Sequence, residues 1–298
     1  MKIAKFKLLT IAALAALASA GNAVSAPVSI SALGMGGWAS GDTRPAAGGA
    51  ANSAQIAAQI KFLGEGQVVA DAAGATPDAS PTGSLNGAGF VRLDGTTANA
   101  GKSDIGFFDP NGLAAASALL ATGFSATYRA YSDPNPTNRT VGFGIALSNG
   151  LSNCGGAGTA ACYYTFSHID LDTATNPNAW LSETVGASLG LFSLFGSGAP
   201  GGAGPSKTLL DWSSDSTWGF LFASASDYDV VRVNFNVGSF QRNALVYVDW
   251  LQTSLLNGGD VVDFVSSDRG NAVPEPGTLV LAGLALAGLG FAGRRRRA

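Results

Sequence analysis

Histidine, cysteine and glutamate are scarce in this chain of 298 residues. It has one histidine, His168, and two cysteines, and Glu65 and Glu183 are the only glutamates between residues 26 and 272. A Ser-His-Asp or Cys-His site would have to use His168. No paired-carboxylate motif of the kind that glycosidases use is present. We therefore predict that the chain is not an enzyme.

Basic residues are also few away from the two ends. Residues 27–272 carry ten Lys and Arg against nineteen Asp and Glu, a net charge of −9. An acidic surface of this kind does not suit nucleic acid or anionic lipid, so we predict no nucleic-acid partner. Long helical patterns are scarce, and Gly, Ala, Ser, Thr and Asn dominate. This composition favours a secreted, β-rich domain with many turns.

The first 25 residues have the layout of a secretory signal peptide. Lys2, Lys5 and Lys7 precede an apolar run over residues 8–17, and small residues follow up to Ala26. The apolar run is shorter than the roughly 20 residues that a membrane span needs. We predict a signal peptide over residues 1–25, export by the Sec machinery and removal by signal peptidase, with cleavage after Ala20 or near Ser25 both open. The exported domain then covers residues 26–272.

The two cysteines lie close together, at Cys154 and Cys162 in NCGGAGTAACYY. In an exported protein, this spacing predicts one local disulfide that closes a Gly-rich loop. Its chain-entropy contribution would be about 2.5 kcal/mol for so short a loop. A metal site is the alternative, but two thiolates with one distant histidine do not complete a tetrahedral shell.

From Phe124 onward, short segments alternate between apolar and polar residues. In DVVRVNFNV (229–237), the Val and Phe side chains at odd positions face one way, while Arg232, Asn234 and Asn236 face the other. This period of two predicts a half-buried strand. About eight such runs, mostly without helical patterns between them, predict antiparallel sheets rather than βαβ units.

We therefore predict an all-β fold, a two-sheet β-sandwich that is jelly-roll-like. A barrel or a β-solenoid stays open, although no repeat of fixed period supports a solenoid. Earlier in the chain, NSAQIAAQIKFLG (52–64) fits either a short helix, capped by Asn52 or Ser53, or a strand. GLAAASALLATG (112–123) is equally ambiguous.

Oxygen-bearing side chains cluster in HIDLDTATNPN. A Ca²⁺ site in a loop could draw ligands from Asp170, Asp172, Asn176 and Asn178. Their spacing departs from the EF-hand pattern, however, and Asp and Asn also populate turns for local hydrogen-bonding reasons. We therefore predict no metal and no cofactor.

Two further motifs bear on binding. GSGAPG (196–201) matches G-x-G-x-x-G, but Pro200 and Pro205 predict a loop where a phosphate site needs a helix N-terminus. Several aromatic residues lie beside predicted loops and could stack on sugar rings. The alternative is that they are core or rim residues, since aromatics favour strands. These residues are Trp38, Trp212, Trp218 and Tyr131.

The C-terminal part of the chain combines an apolar run with a basic cluster. Residues 277–293 are 17 residues without a charge, and as a helix they would be about 25 Å long. Arginines on the inner side of a membrane orient such a helix with its N-terminus outside. The run therefore predicts a single transmembrane helix, followed by a topology signal in Arg294, Arg295, Arg296 and Arg297. A plain anchor, retained for life, is one interpretation.

Residues 273–298 resemble the PEP-CTERM sorting signal of Gram-negative bacteria. The resemblance lies in the order and spacing of three parts: the motif Val273-Pro274-Glu275-Pro276, the apolar helix and the arginines. It implies that exosortase, a membrane-embedded cysteine protease or transpeptidase, recognises the Pro-Glu-Pro. It also implies a transient stay in the inner membrane with the arginines in the cytoplasm, after which the helix and arginines are discarded.

The family's genomes typically encode exopolysaccharide synthesis. The resemblance therefore implies a cell-surface or extracellular-matrix protein, associated with exopolysaccharide or biofilm, in a structural or adhesive role. A carbohydrate-binding module that holds exopolysaccharide is the alternative, and a secreted hydrolase is a more distant one. The domain at 26–272 resembles no family that we can name, so the tail does not carry over an activity.

The disulfide is directly testable. Because the periplasm is oxidising and only seven residues separate the cysteines, we expect Cys154 to be linked to Cys162. Mass spectrometry of periplasm-derived protein, digested without reductant, would detect the linked peptides. Two free thiols there would contradict the prediction.

Overall fold

The computed structural model describes residues 27–40, 60–69, 78–79, 81–95, 103–132, 141–150, 163–169, 179–196, 199–201, 204–223, 227–237 and 245–267. The predicted signal peptide and the residues from 268 onward lie outside these ranges.

The described residues form short and long β-strands, one short α-helix and several 3₁₀ helices. The strands are β1 (Val28–Ile30), β2 (Trp38–Ser40), β3 (Ile60–Leu63), β4 (Val68–Val69), β5 (Asp78–Ala79), β6 (Phe90–Asp94), β7 (Ser103–Phe108), β8 (Ala114–Ala115), β9 (Ser125–Ser132), β10 (Gly142–Ser148), β11 (Tyr163–Ile169), β12 (Trp180–Gly186), β13 (Phe192–Gly196), β14 (Asp229–Val237), β15 (Leu245–Thr253) and β16 (Val261–Phe264). The α-helix, α1, is Leu209–Ser213, and the 3₁₀ helices are Met35–Gly37, Leu85–Gly87, Ala116–Leu120, Gly219–Phe222 and Asn257–Gly259.

The two ambiguous segments resolve differently. Within 52–64, the described part is a strand, β3, which pairs with β6; the possible helix caps Asn52 and Ser53 lie outside the described residues. Within 112–123, the short strand β8 leads into the 3₁₀ helix Ala116–Leu120. A short apolar run of this kind does not distinguish strand from helix by periodicity alone.

The first sheet is built around β15. Strand β9 runs antiparallel along one side of β15, with β12 beyond it. On the other side, β6 pairs with the first half of β15 and β16 with its second half. Strands β3 and β1 complete the sheet beside β6 and β16, and the β1–β16 pair is parallel.

The second sheet has the order β13-β11-β10-β14-β7-β2, with antiparallel pairing throughout. Strand β8 pairs with β14 beyond the end of β7. Eight strands alternate between the sheets in chain order, except that β10 and β11 lie side by side in the second sheet; these are β6, β7, β9, β10, β11, β12, β14 and β15. The central orders are β6-β15-β9-β12 and β7-β14-β10-β11. The predicted all-β, two-sheet sandwich is confirmed.

Aromatic side chains fill the space between the sheets. Tyr128 of the first sheet stacks on Phe143 of the second, with ring centroids 5.5 Å apart, and packs against Phe235 at 5.3 Å. Phe264 lies 5.0 Å from Trp38, again across the two sheets. All five side chains are fully buried. Such aromatic pairs add about 0.5–1.5 kcal/mol each beyond the area that they bury.

The outer face of β14 differs from the prediction. Arg232 is 5 % exposed and Asn234 is 0 % exposed, so the strand is buried on both faces over most of its length. Asp104 on β7 accepts hydrogen bonds from the Arg232 guanidinium and, at 3.0 Å, from the Asn234 amide. Gly106 and Gly144 lie directly beside these side chains. A Cβ at either position would collide with them, so the two buried side chains depend on glycine there. The period of two predicts on which face of the strand a side chain lies, but not whether other residues cover that face.

Residues 81–88 are held against the outer face of the first sheet by two carboxylates. Glu65 accepts hydrogen bonds from the Ser84 amide at 2.6 Å and from the Ser84 hydroxyl at 2.8 Å. Asp249 accepts from the Leu85 amide at 2.9 Å and from Arg129 Nη1 at 2.9 Å. Asp249 is fully buried. Burial raises the pKa of its carboxyl above the ordinary 3.8, although the Leu85 amide and Arg129 act in the opposite direction.

Within the described ranges, no helix has the length and apolar character to cross a membrane. The predicted transmembrane run at 277–293 lies outside those ranges and stays a prediction.

We expect Asp104→Ala to lower the free energy of unfolding by about 3–5 kcal/mol, because it removes the carboxylate that pairs with a buried guanidinium. Urea denaturation followed by tryptophan fluorescence measures this change. Asp227→Ala is the matched control, since Asp227 is exposed and such a change usually costs no more than about 0.5 kcal/mol. Equal midpoints for the two variants would contradict the role given to Asp104.

Candidate functional site

A pocket of about 340 Å³ opens at the edge of the sandwich formed by β11, β12 and β13. Its lining residues, which define the edge pocket, are Ser167, His168, Ile169, Glu183, Gly190, Leu191, Ser193 and Ser206. His168 and Glu183 lie on the inner faces of their sheets, since their cross-strand partners Phe143 and Tyr128 are core residues. The alternation of the pleat puts Ser167 on the outer face. The edge pocket is therefore lined by residues from both faces of β11.

The hydrogen bond of His168 fixes the proton arrangement of its ring. His168 is 6 % exposed, and its ring packs 5.5 Å from that of Phe192. Nδ1 lies 2.9 Å from the carbonyl oxygen of Leu191. Because a carbonyl oxygen only accepts, Nδ1 is the donor. The other ring nitrogen, Nε2, faces Glu183.

Glu183 places a carboxylate beside this nitrogen. Its Oε1 lies 3.7 Å from His168 Nε2, beyond the range of about 2.7–3.2 Å for a hydrogen bond. The Glu183 side chain is partly exposed, whereas that of His168 is buried. An imidazole nitrogen from one sheet and a carboxylate from the other therefore converge at the open edge.

A tight turn over residues 186–190 shapes the mouth of the edge pocket. Gly190 has φ +80°, and a Cβ there would lie 2.8 Å from Val185 Cγ1 and 3.3 Å from His168 Nδ1. A larger residue would therefore strain the turn and press on the imidazole. Leu191 is 50 % exposed and Ile169 is 36 % exposed, so the rim of the edge pocket is apolar.

The same turn contains a motif that the sequence interpretation missed. Gly186-Ala187-Ser188-Leu189-Gly190 reads G-x-S-x-G, the pattern of a nucleophile elbow. That elbow needs a strand followed by a helix, whereas this turn joins strands β12 and β13. Ser188 is exposed and does not line the edge pocket, and His168 Nδ1 is engaged by the Leu191 carbonyl. The motif therefore lacks the context for acyl transfer.

The sugar-stacking candidates divide into buried and partly exposed residues. Trp38 and Trp212 are each 1 % exposed and belong to the core, so the core interpretation holds for both. Tyr131 lies on the outer face of the first sheet, 5.4 Å from Trp180 and 5.8 Å from Tyr247. Trp218 is also partly buried against the core.

Trp218 belongs to what we call the end cluster: Tyr164, Trp218, Phe220 and Tyr228. The ring of Tyr164 lies 5.8 Å from Trp218, 6.3 Å from Phe220 and 5.8 Å from Tyr228. Phe220 is 48 % exposed, so the end cluster reaches the surface. Burial raises the pKa of both tyrosine hydroxyls, so they stay protonated donors at neutral pH.

Several predicted residues lie outside the described ranges. These are the oxygen-ligand candidates Asp170, Asp172, Asn176 and Asn178, the cysteines Cys154 and Cys162, the motif Val273, Pro274, Glu275 and Pro276, and Arg294, Arg295, Arg296 and Arg297. In the glycine motif, Gly196 ends β13 and α1 begins only at Leu209. Among the residues that the structure describes, no three His, Cys, Asp or Glu side chains group to hold a metal ion.

Comparison with known proteins identifies only the C-terminal segment of the chain. Residues 272–297 match the family model of the PEP-CTERM protein-sorting motif. No curated protein and no solved structure matches the chain. The resemblance noted from Val273 onward is therefore confirmed. A chain with this motif is exported, anchored transiently in the membrane and sorted by exosortase to the outside of the cell.

Proposed function

We propose that this protein is a structural or adhesive component of the cell surface or extracellular matrix, associated with exopolysaccharide in a biofilm and without catalytic activity. The observation that carries the proposal is the PEP-CTERM match at residues 272–297. The acidic composition agrees with it, since a net charge of −9 over residues 27–272 favours solubility after release from the membrane.

The body of the protein fits such a role. Its long strands follow the order β6-β15-β9-β12 in one sheet and β7-β14-β10-β11 in the other. This interleaving supports assignment to the jelly-roll class, whose two Greek keys give a rigid sandwich with few free edges. A rigid domain of this kind keeps its shape once it is released from the membrane.

The proposed route depends on an extended backbone before the apolar run, which is a prediction from the sequence. Proline disfavours helical conformation at the residue before it, so Pro274 and Pro276 predict an extended stretch. A protease must bind backbone that is not helical, so exosortase can reach Pro-Glu-Pro while residues 277–293 stay in the inner membrane. The arginines hold the helix with its C-terminus in the cytoplasm until processing is complete.

We expect replacement of Pro274, Glu275 and Pro276 by alanine to block processing but not insertion. Hydrophobic length and the Arg cluster are unchanged, and Ala extends the helix where Pro interrupts it. The variant should stay in the membrane at full length, while the wild type leaves without its last residues. The intact mass of protein recovered from the cell surface or medium is the measurement.

The matched control replaces the four arginines by serine. It should weaken retention and orientation, so that some unprocessed protein escapes, a different phenotype from that of the alanine variant. A released wild-type protein whose mass still includes Arg297 and Ala298 would contradict processing, and the tail would then be a plain anchor.

The alternative is a carbohydrate-binding module that holds exopolysaccharide. The end cluster favours it, because partly exposed Trp218 and Phe220 present ring faces at one end of the sandwich. Aromatic faces pack against the C–H surfaces of sugars, and the Tyr164 ring, 5.8 Å from that of Trp218, extends the same cluster.

On this alternative, Trp218→Ala should weaken saccharide binding about tenfold or more, as truncation of a binding hot spot does. A glycan array identifies the saccharide, and calorimetry measures the loss. Leu210→Ala is the control, since Leu210 is an exposed apolar residue outside the end cluster. If no glycan binds, or if both variants bind as the wild type does, the structural role stands alone.

A further inference from the structure

We propose that the outer face of the first sheet binds a neutral, extended glycan of the β-1,4-linked glucose type. The residues that form this binding face, which we call the outer platform, are Thr127, Arg129, Trp180, Ser182, Thr184 and Trp250. The assignment of the glycan to the exopolysaccharide rests on the proposed function. The outer platform itself rests on the strand register, and it lies on the opposite sheet from Tyr164 of the end cluster.

The strand register brings these side chains to one face. Arg129 of β9 lies directly opposite Ser182 of β12 on one side and Trp250 of β15 on the other. Thr127, two residues earlier on β9, lies opposite Thr184 of β12, and the two hydroxyl oxygens are 3.0 Å apart. Residues that lie opposite each other, or two apart on one strand, share a face of the sheet. The three strands therefore present one continuous row of side chains to the outside.

Two partly exposed tryptophans lie at opposite corners of the outer platform. The indole N–H of Trp180 donates to the Thr82 carbonyl at 2.8 Å, and the Arg129 guanidinium lies 5.1 Å from the centre of its ring. For Trp250, no hydrogen bond or ring contact of the side chain is found among the described residues. Two strand spacings across the sheet and two residues along it put the two tryptophan Cα atoms about 12 Å apart. The two indoles can therefore contact different sugars of one chain.

Hydrogen-bonding groups lie between and beside the two tryptophans. Arg129 donates from Nη1 to Asp249 at 2.9 Å, and its side chain is 26 % exposed, so further guanidinium N–H groups remain for a ligand. Ser182 and Thr184 are exposed, and their hydroxyls can donate or accept. A β-1,4-linked glucose chain carries C–H groups on its faces, which the negative faces of aromatic rings attract, and hydroxyls along its edges. Both parts of such a chain find partners on the outer platform.

The charge of the outer platform matches an uncharged ligand. Its threonine, serine and tryptophan side chains are neutral, and the guanidinium of Arg129 is compensated by the buried carboxylate of Asp249. The net charge of −9 over residues 27–272 repels an acidic polysaccharide at longer range. A neutral glycan is therefore electrostatically complementary to this face, whereas a polymer of acidic sugars is not.

The test is calorimetry on the secreted protein at neutral pH with three probes: cellohexaose, glucose and hexagalacturonate. Cellohexaose should bind, and glucose should bind at least about tenfold more weakly because it reaches only one indole. Hexagalacturonate, which is acidic, should bind more weakly than cellohexaose. Trp250→Ala should weaken cellohexaose binding about tenfold or more, and Trp250→Phe, which keeps a ring, should restore most of it.

A second variant covers the case in which Trp250→Ala does not fold. Ser182 is exposed, so Ser182→Glu leaves the core intact, and its charged side chain beside Arg129 should block the outer platform. The matched control is Phe108→Ala, which removes an exposed ring from the second sheet and should leave binding unchanged. The urea denaturation midpoint of each variant separates lost binding from lost folding.

Absence of cellohexaose binding, or full binding by both Trp250→Ala and Ser182→Glu, would overturn the proposal. Loss of binding in Trp218→Ala but not in Trp250→Ala would place the glycan at the end cluster instead. Hexagalacturonate that binds as tightly as cellohexaose would overturn the neutral class of ligand. A dimer that forms without glycan and that Ser182→Glu dissociates would give the face to a second copy of the chain. None of these results touches the C-terminal mass of the released protein, so failure here is distinguishable from failure of the proposed sorting.

Discussion

The separation of the two sheets depends on the aromatic rings that pack between them. Tyr128, Phe143 and Phe235 contact one another across the interface, and Phe264 and Trp38 continue the layer toward the opposite edge. Rings of this size hold packed sheets about 10 Å apart. Strands of opposite sheets that contact each other only through this layer therefore keep a fixed distance, which sets the 3.7 Å separation of His168 Nε2 and Glu183 Oε1 at the edge.

The edge pocket arises where this aromatic layer ends. On β11, Phe166 and Tyr164 point into the core, and His168 is the next inward residue, one step from the end of the strand. On β12, Val185 is a core residue, and Glu183 is the preceding inward position. The same pleat that packs the core thus sets one polar residue from each sheet at the end of the core. The positions of His168 and Glu183 therefore follow from the strand register alone.

The sequence predicts which side chains of such strands point into the core better than it predicts which residues they contact. The period of two in β14 places Val233 and Phe235 in the core, as the structure has them. It does not predict that Arg232 is buried, because that depends on Asp104 of β7 and on the glycines beside it. Likewise, no local signal pairs His168 with Glu183, since their strands lie in different sheets and meet only through the strand order. Helix and strand were indistinguishable in 112–123 for a related reason: small apolar residues suit both.

The charges of the described residues bear on what kind of ligand the domain can hold. Four of the five basic side chains within the described ranges form ion pairs with aspartates of the same chain: Arg92 with Asp94, Arg129 with Asp249, Lys207 with Asp215 and Arg232 with Asp104. Two of these pairs are buried on both sides, where a guanidinium cannot contact an external anion. Basic groups here stabilise the fold, while a larger number of carboxylates remains to set the field at the surface. A neutral or cationic glycan can approach such a surface without electrostatic cost, whereas a polyanion cannot.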